Sequence, residues 1–390
     1  MRVLHAISGI DPRNGGPTQA LVGLTAAQVR AARLDVRVIS TWQEDDAHQS
    51  AERLRALGVG VRMVGRATGK LSRHPELRSA LEAEVAAADV VHVHAVWEEM
   101  QHQACRAAQR LGKPYVFTPH GMLDPWNMTK SRLGKNLYLA LRMRRNLQWA
   151  AALHYTTEIE RHAVARMKLR PPTIVEPLGL DVTEFDRLPP PGTFRARHPI
   201  IGTRPIILFL GRIHYGKGLE VLVPAVANMK HPDAMLVIAG PDSAGYRATV
   251  EQLIARQGLA DRVIFTGMVR GGDKLAALVD ATVLALPSFH ENFGLVVIEA
   301  LAAGTPVVVS DQVNLHPEVT AAGVGGVMPL DPICGATVLD RWVHDSALRA
   351  SAAGRAARFV RERYDWNKIA LRWAAHYQDV LARRAAGVGL

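Results

Sequence analysis

Two glutamates, eight positions apart, lie in the segment of the sequence whose pattern is best suited to chemistry. A short apolar run ends at Pro287, a loop containing Glu291 follows, and a helical pattern begins near Phe293 and contains Glu299. The first turn of a helix has unpaired amides that form a ready site for an anion. Glu291 could merely cap this helix, and Glu299 could face solvent. The apolar neighbours of Glu299 instead indicate a buried carboxylate, which needs a polar partner such as a sugar hydroxyl.

A basic pair follows a second apolar run. Arg212 and Lys217 lie in the sequence Gly-Arg-Ile-His-Tyr-Gly-Lys-Gly, which occupies 211–218 directly after a predicted strand. Arginine binds phosphate as a planar fork and lysine binds it as a point charge, so the two side chains could converge on a diphosphate. An ordinary basic turn between a strand and a helix is the simpler alternative.

Two further loops carry weaker signals. Gly15 and Gly16 precede Pro17 at the start of a predicted helix, an arrangement that suits a cradle of amides facing phosphate or an acceptor. His120 follows the predicted strand 114–118 and precedes a glycine. A single histidine is more often structural than catalytic, but its position at the end of a strand makes His120 a candidate.

Short β-branched runs alternate with longer helical stretches along the chain. The first half contains predicted strands at 2–8, 36–40, 59–64, 89–94 and 114–118, and the second half contains them at 205–211, 234–240, 262–267, 281–287 and 305–310. This alternation predicts an α/β protein with two doubly wound parallel sheets. Ligands bind such sheets outside the carboxyl ends of the strands, where the candidate residues lie.

A segment rich in proline and glycine, 188–205, interrupts the alternation and predicts a linker. We therefore expect an N-terminal domain at 1–190, a second domain at 191–364, and a C-terminal helix at 365–390 that packs back on the first domain. Two such domains facing each other would enclose a cleft between them.

The composition predicts an anionic partner. The chain of 390 residues has 47 Lys and Arg against 36 Asp and Glu, a net charge of +11. Nucleic acid, an acidic membrane surface and phosphorylated substrates all fit this charge. Cys105 and Cys334 are the only cysteines in the sequence, so neither a disulfide framework nor a zinc site is expected, and a reducing cytoplasm fits. The dinucleotide pattern Gly-x-Gly-x-x-Gly and the Walker pattern do not occur.

Part of the positive charge is concentrated in one stretch. Six basic residues and no acidic residue occupy 130–145, namely Lys130, Arg132, Lys135, Arg142, Arg144 and Arg145. Leucines are interleaved with them, so a helix there would be amphipathic and cationic and could lie on anionic lipid headgroups. The alternative is a solvated basic helix whose apolar side packs on the first domain. A lipid-linked or glycan acceptor carrying phosphate would use the same charges.

The order of these motifs resembles that of the retaining glycosyltransferases of family 4, which belong to the glycosyl transferases group 1. The resemblance covers nearly the whole chain and is carried by Gly15-Gly16, His92-Val93-His94, Thr118-Pro119-His120-Gly121, Gly211-Arg212 with Lys217-Gly218, Ala239-Gly240-Pro241, Phe265-Thr266-Gly267, and Glu291-x7-Glu299. It implies the GT-B fold of two facing Rossmann-like domains with an interdomain cleft.

The resemblance also implies roles for individual residues. Arg212 and Lys217 would hold the diphosphate of the donor, while Glu291 would contact the hydroxyls of its sugar and Glu299 the ribose. His120 would lie over the donor sugar near the reacting carbon. The remaining implied donor-binding residues are Met268 and Val269 at the base, the amides of Asn292, Phe293, Gly294 and Leu295, and the glycine pair Gly15 and Gly16.

The implied function is transfer of a hexose, with retention, from a nucleotide-diphosphate sugar to a glycan or polyprenyl-linked acceptor. The expected setting is bacterial exopolysaccharide or lipopolysaccharide assembly, in a cytoplasmic protein attached peripherally to the membrane. No Asp-x-Asp pattern occurs, so we expect neither a metal nor a cofactor. Arg212, Lys217 and the helix that begins near 293 would then stabilise the charge on the leaving group.

Two alternatives stand beside this function. A nucleotide-sugar epimerase of the same fold would use the same donor site without an acceptor. A basic nucleic-acid-binding protein would also fit the charge. It is disfavoured because aromatic residues are sparse and no recognition motif occurs.

Overall fold

The chain divides into two compact units. The structure is a computed structural model that describes residues 1–11, 15–43, 46–129 and 131–387. The first unit comprises Met1–Gly179 together with the chain from Trp366 onward, and the second comprises Leu180–Asp365. The division therefore falls at Gly179 and not at 190, because Leu180 already belongs to the second unit. Its amide donates to the carbonyl of Tyr364 at 2.7 Å.

A seven-stranded parallel sheet forms the first unit, in the order β3-β2-β1-β4-β5-β6-β7. Its strands are β1 Arg2–Gly9, β2 Asp35–Trp42, β3 Gly60–Arg66, β4 Val90–His94, β5 Tyr115–Thr118, β6 Ala152–Tyr155 and β7 Thr173–Val175. Its helices are α1 Gly16–Arg30, α2 Asp46–Ala56, α3 Leu77–Ala87, α4 Glu99–Arg110, α5 Pro125–Thr129, α6 Arg132–Tyr138, α7 Arg144–Gln148 and α8 Glu158–Ala165, with a C-terminal helix described below.

A six-stranded parallel sheet forms the second unit, in the order β10-β9-β8-β11-β12-β13. Its strands are β8 Ile206–Leu210, β9 Met235–Ala239, β10 Val263–Gly267, β11 Val283–Leu286, β12 Val307–Ser310 and β13 Gly325–Met328. Its helices are α9 Thr193–Arg197, α10 Leu219–Ala227, α11 Tyr246–Arg256, α12 Gly271–Asp280, α13 Leu295–Ala302, α14 His316–Ala322, α15 Pro332–His344 and α16 Ser346–Arg363.

The strand order places the candidate loops where a ligand site can form. The order reverses between β1 and β4 in the first sheet and between β8 and β11 in the second. In such sheets the crevice opens at this reversal, beyond the carboxyl ends of the strands. The loop with Gly15 follows β1, and the loop with His120 follows β5. In the second unit the loop at 211–218 follows β8, and the loop with Glu291 follows β11.

The central strands are continuous apolar runs because helices cover both faces of each sheet. β8 reads Ile-Ile-Leu-Phe-Leu and β9 reads Met-Leu-Val-Ile-Ala, and nearly all of these side chains are buried. The sequence predicted these strands to within two residues at either end. β6, β7 and β13 were not predicted: each has only three or four residues, and β6 and β13 also lack a β-branched run.

The basic stretch is helical throughout 132–148, as the sequence predicted, but it is not a regular α-helix. It contains α6 and α7 separated by a π-helical turn at Leu139–Met143. Leu139 and Met143 are buried, whereas Leu133, Leu137 and Leu141 are 87%, 61% and 73% exposed. A π-helical turn inserts an extra residue into the helical repeat, which amphipathic spacing does not reveal.

The C-terminal helix, α17 at Trp366–Ala385, belongs to the first unit and packs on α1. Trp366, Trp373 and Tyr377 of this helix are buried. Gly23 of α1 lies directly beneath Trp366, because a Cβ built on Gly23 would come within 2.1 Å of the indole nitrogen. The absence of a side chain at position 23 therefore allows the two helices to approach.

Gly23→Ala should destabilise the protein, because the new methyl group would displace the indole of Trp366. We expect the free energy of unfolding to fall by about 1–3 kcal/mol, the usual cost of overpacking. Gly354→Ala is the matched control, since Gly354 lies in α16 with open space around it. That control should gain about 0.5–1 kcal/mol from helix propensity. Urea unfolding measures both changes, and equal stabilities would contradict the packing of α17 on α1.

Candidate functional site

The loop after β8 approaches its neighbours backbone to backbone. A Cβ on Gly218 would lie 1.9 Å from the carbonyl oxygen of Pro287, and a Cβ on Gly240 would lie 1.8 Å from that of Gly211. Both glycines also have positive φ angles, 70° and 148°. The amide of Gly240 donates to the carbonyl of Gly267 at 2.8 Å. The carboxyl ends of the central strands of the second sheet are thus in close backbone contact. These contacts fix the loop that carries Arg212 and Lys217.

The backbone of Glu291 is held by the loop that follows β12. Its amide donates to the carbonyl of Gln312 at 3.0 Å, and its carbonyl accepts from the amide of Asn314 at 2.9 Å. The residue therefore has a fixed position at the carboxyl edge of the sheet. Glu291 does not cap α13, which begins at Leu295 after Gly294 with a φ of 82°. The helix starts two residues later than predicted.

The basic loop and the loop with Glu291 are joined by an ion pair. The ammonium of Lys217 contacts the Glu291 carboxylate, and the two side chains are 24% and 19% exposed. Tyr215 stacks on Phe289 with ring centroids 5.4 Å apart, which joins the same two loops. Arg212 is exposed at the edge of this group. Of the two predicted diphosphate ligands, the structure brings Lys217 to Glu291 and leaves Arg212 at the surface.

The second glutamate also has a lysine partner, which the sequence did not reveal. Lys274 of α12 donates to Oε1 of Glu299 at 2.9 Å, and the two side chains are 25% and 14% exposed. The predicted need of this carboxylate for a partner is therefore met by an ammonium group within the protein. The only signal in the sequence was a lysine in the first turn of the helix that follows β10.

The other predicted donor-site residues of the second unit differ in exposure. Met268, directly after β10, is 46% exposed, and Val269 is half-buried. Phe293 and Gly294 are buried, while Asn292 and Leu295 are half-buried. Phe293 packs against Tyr364 with ring centroids 5.9 Å apart. The side chain of Phe293 is thus part of the core.

In the first unit, Gly15 and Gly16 begin α1. Gly15 precedes the helix with φ 83° and ψ −144°, and its carbonyl accepts from the amide of Gln19 at 3.2 Å. A Cβ on either glycine would meet no atom of the described residues within 4 Å, so these residues leave space around both. A cradle of amides at this helix start is compatible with that openness.

His120 has an unusual backbone conformation that its neighbours hold in place. Its φ is 52°, a left-handed value that is uncommon for residues other than glycine and is found at functional sites. The following amide, of Gly121, donates to the carboxylate of Glu160 at 2.5 Å. The same carboxylate accepts from the amide and hydroxyl of Thr156 at 2.8 and 2.9 Å. The buried Glu160 therefore fixes the turn that orients His120.

His120 is one of five histidines in contact inside the first unit. Its Nε2 lies 3.1 Å from Nδ1 of His94, and the rings of His94 and His92 stack with centroids 4.3 Å apart. Burial lowers the pKa of His5 to about 4, of His120 to about 3 and of His154 to about 4. Burial likewise holds the pKa values of His92 and His94 well below the ordinary range. The whole group is neutral at physiological pH.

Two groups of described side chains place three potential metal-ligand atoms within 4.8 Å of one another, namely His5 with His92 and His94, and His231 with Asp340 and His344. The first group is buried, and its ring nitrogens already have hydrogen-bond partners. In the second group, Asp340 accepts from the amide of Lys230 at 2.8 Å. Neither group contains a residue of the predicted donor site.

The five described basic residues of the 130–145 stretch do not share one surface. Lys130 lies outside the described residues. Arg142 pairs with the buried Glu99, and Lys135 donates to the carbonyl of Asn127 at 2.5 Å. The outward-facing members are Arg132, Arg144 and Arg145, which flank the exposed leucines. Within the described part of the chain, no helix is both long and apolar enough to cross a bilayer.

Comparison with known proteins identifies the family. A family model described as glycosyl transferases group 1 matches residues 192–357, and one described as a glycosyl transferase 4-like domain matches 15–180. A D-inositol 3-phosphate glycosyltransferase of Xylanimonas cellulosilytica is 30% identical over 319 residues, which cover 76% of this chain and 73% of that protein. A protein of the same name from Streptomyces avermitilis is 35% identical over 303 residues, covering 72% of this chain and 63% of the relative.

Coverage differs between the sequence and structure comparisons. An uncharacterized glycosyltransferase of Methanocaldococcus jannaschii, MJ1607, is 37% identical over 180 residues, and the match spans only 45% of either chain. The structure of Anabaena Alr3699/HepE in complex with UDP and glucose superposes with a TM-score of 0.78 at 20% identity, covering 97% of this chain and all of that one.

The two parallel-sheet units and the superposition on the Anabaena structure define the GT-B fold. The chain belongs to the glycosyl transferases group 1. The fold class and the family that the sequence motifs implied are both confirmed.

The buried histidines should make the first unit sensitive to acid. A histidine with a pKa of about 4 when folded and near 6.5 when unfolded binds its proton preferentially in the unfolded state. Its stabilising effect is complete above pH 6.5 and is lost as the pH falls towards 4. At pH 5 one such histidine should lower the free energy of unfolding by about 2 kcal/mol relative to pH 7.5.

Urea unfolding at the two pH values, followed by tryptophan fluorescence in a Trp342→Phe background, measures this loss. Trp342 is the only tryptophan of the second unit, so the remaining signal reports the first unit. The ring centroid of Trp373 lies 4.7 Å from those of His92 and His154, so its fluorescence reports on the histidine cluster. His154→Gln should reduce the pH dependence. A free energy of unfolding that is the same at both pH values would contradict the neutral histidine cluster.

Proposed function

We propose that this protein is a metal-independent, retaining hexosyltransferase that uses a nucleotide-diphosphate sugar as donor. The observation that carries the proposal is the joined pair of loops at the carboxyl edge of the second sheet, where Lys217 meets Glu291. The ligands of the Anabaena neighbour, UDP and glucose, favour a uridine nucleotide. The family resemblance supplies the retaining outcome and the expectation that no cofactor takes part.

The charges of the donor site suit a diphosphate leaving group. Departure of a nucleotide diphosphate from a sugar leaves negative charge on the phosphate, and preorganised donors that meet this charge lower the barrier. Lys217 and Arg212 would supply cations, and the amides at the start of α13 would supply dipoles. Met268, exposed after β10, would lie near the base, and Glu299 with its partner Lys274 would bind the ribose.

The ion pair between Lys217 and Glu291 suggests how the donor is bound. Before the donor binds, the carboxylate is neutralised by the lysine. A diphosphate would compete for the ammonium of Lys217, since phosphate oxygens are strong acceptors of charged hydrogen bonds. Glu291 would then be released to accept hydrogen bonds from the sugar hydroxyls. Binding of the diphosphate and recognition of the sugar would thereby be coupled through one lysine.

Lys217→Ala should retain the fold and lose most of the transferase activity. Removal of one preorganised donor costs about 2.7–4 kcal/mol, or 100-fold to 1000-fold in kcat. Thermal unfolding with UDP-, GDP- and ADP-sugars should show stabilisation of the wild type by one nucleotide, by about 2.7 kcal/mol at 100 times its Kd. Lys217→Ala should need far more ligand for the same shift.

Arg256→Ala is the matched control, because Arg256 is an exposed basic residue of the same unit. Its kcat and ligand response should equal those of the wild type. Activity should also survive EDTA, and activity restored only by Mg²⁺ or Mn²⁺ would contradict metal independence. If none of these nucleotide sugars stabilises the wild type, the donor proposal is wrong. Release of free or isomerised sugar without an acceptor would favour the epimerase alternative.

For the acceptor we propose a phosphate-bearing glycan or polyprenyl-linked molecule, as in bacterial exopolysaccharide or lipopolysaccharide assembly. A groove of about 690 Å³ in the first unit supports this chemistry. Its walls combine the apolar side chains of Leu123 and Leu139 with three arginines, Arg132, Arg144 and Arg166. D-inositol 3-phosphate is the second candidate, favoured by the names of the relatives, and its phosphate would use the same arginines.

We further propose that the first unit attaches peripherally to the cytoplasmic face of an anionic membrane. Leu133, Leu137 and Leu141 are four residues apart and exposed, an arrangement that is costly in water and favourable in a headgroup layer. Arg132, Arg144 and Arg145 flank them, and each basic residue near an anionic surface contributes about 1 kcal/mol.

The triple variant Leu133→Ser/Leu137→Ser/Leu141→Ser should lose binding to vesicles of anionic phospholipid in a flotation assay. The wild type should float with anionic vesicles at low salt, and less at high salt, because its charges are screened. Leu57→Ser/Leu111→Ser is the matched control, since both leucines are 42% exposed elsewhere in the first unit. A wild-type protein that ignores anionic vesicles would overturn the membrane proposal without affecting the donor site.

A further inference from the structure

A continuous path of hydrogen bonds joins the backbone carbonyl of Glu176 to His120 through the core of the first unit. Its members, in order, are Glu176, His154, Thr118, His92, Tyr377, Gln28, His5, His94 and His120, and all of the side chains between the two ends are buried. The successive donor–acceptor distances lie between 2.7 and 3.2 Å. Each histidine in the interior of the path uses both of its ring nitrogens.

The direction of every hydrogen bond follows from the first one. A backbone carbonyl can only accept, so Nε2 of His154 donates to Glu176 at 2.8 Å. A neutral imidazole has one donor and one acceptor, so Nδ1 of His154 accepts from the Thr118 hydroxyl at 2.8 Å. That hydroxyl has a single proton and must therefore accept from Nε2 of His92 at 2.7 Å.

The same reasoning continues through the two helices that cover the sheet. Nδ1 of His92 accepts from the hydroxyl of Tyr377 at 2.7 Å. The Tyr377 oxygen consequently accepts from the amide nitrogen of Gln28 at 3.2 Å. This orientation turns the Gln28 carbonyl oxygen towards Nε2 of His5, which donates to it at 2.8 Å.

The last two steps reach the functional loop. Nδ1 of His5 accepts from Nε2 of His94 at 2.9 Å, so Nδ1 of His94 must accept. Its donor is Nε2 of His120, 3.1 Å away. The proton of His120 is thereby assigned to Nε2, and the lone pair is assigned to Nδ1. Of the side chains in the path, only that of His120 is partly exposed.

We propose that this path is a positioning device that holds His120 in the neutral Nε2–H tautomer and presents its Nδ1 as a hydrogen-bond acceptor. The ligand group that such an atom takes is a hydroxyl, which donates, and not a phosphate oxygen, which can only accept. The inference rests on the proposed function in one respect: it takes this hydroxyl to be a sugar hydroxyl of the proposed transfer reaction. His5, His92, His94, His154, Thr118, Gln28 and Tyr377 act through His120 as positioning residues.

Two properties of the path support this assignment. Burial disfavours the imidazolium form of all five histidines, and a protonated member would place two donors opposite each other. The left-handed backbone of His120 is fixed independently by Glu160. The backbone therefore fixes where the ring lies, and the path fixes where its proton lies.

Nitrogen NMR of the wild-type protein labelled with ¹⁵N-histidine tests the tautomer directly. Long-range proton–nitrogen correlations distinguish a ring nitrogen that carries a proton from one that does not. All five histidines of the path should show a protonated Nε2 and an unprotonated Nδ1. A His120 signal with a protonated Nδ1, with both nitrogens protonated, or with averaged nitrogens would overturn the proposal.

A matched pair at position 94 separates positioning from packing. The amide of Asn occupies the place of Nδ1 in histidine, so His94→Asn can still accept from His120. His94→Gln places its amide at Nε2 and can only maintain the bond to His5. We expect the Asn variant to preserve the His120 tautomer signal and the Gln variant to average it, with kcat at least about tenfold lower in the Gln variant, because a wrong tautomer disables a histidine.

Equal kcat and equal His120 signals in the two variants would contradict the proposal, even if both were less stable than the wild type. Titration of the wild type with the stabilising nucleotide sugar separates this inference from the proposed function. A protonated Nε2 on His120 whose signal no nucleotide sugar shifts would leave the path correct and the proposed donor site wrong. Loss of the tautomer pattern on adding Zn²⁺ would instead indicate that His5, His92 and His94 bind metal, and would also overturn the proposal.

Discussion

The first unit depends on keeping a row of polar side chains hydrogen-bonded inside a sheet that is covered on both faces. His92 and His94 are two residues apart on β4, so both side chains lie on one face, and the parallel register sets His5 beside His92. Each buried polar group left unpaired would cost about 1–3 kcal/mol. Gln28 of α1 and Tyr377 of α17 supply the missing partners. The return of the chain to the first unit is therefore a requirement of this row, in addition to the apolar packing of α17.

In the second unit, the constraint is that partly buried carboxylates need a cationic partner. Glu291 and Glu299 each have a lysine partner, from separate loops and helices. Both pairs are partly exposed, so water and salt weaken them and a competing anion can draw a lysine away. Close backbone contact at Gly218 and Gly240 fixes the loop at 211–218 independently of these ion pairs. Under the proposed function, a rigid backbone with partly exposed ion pairs suits a phosphate site.

The sequence predicted features that local pattern determines and missed those that distant contacts determine. The long apolar strands and the α17 helix were predictable from their periodicity. β13 was missed because it begins with two glycines, Gly325 and Gly326. A side chain at these positions would clash with Val307 and Trp342, contacts that the local sequence does not show. Lys274 was missed because nothing local marks it as the partner of Glu299. The His-Val-His motif was visible, but its partners depend on strand register and on two helices, which no short motif specifies.

The contrast between the two units is what a transfer reaction with a phosphate leaving group would require. The second unit holds charge that can respond to phosphate, whereas the cluster around His120 in the first unit is neutral and cannot donate a second proton. A charged imidazole there would attract anions. A neutral acceptor nitrogen does not attract an anion and can accept a hydrogen bond from a hydroxyl. Under the proposed function, burial of the four histidines behind His120 thus contributes to selectivity by keeping His120 uncharged.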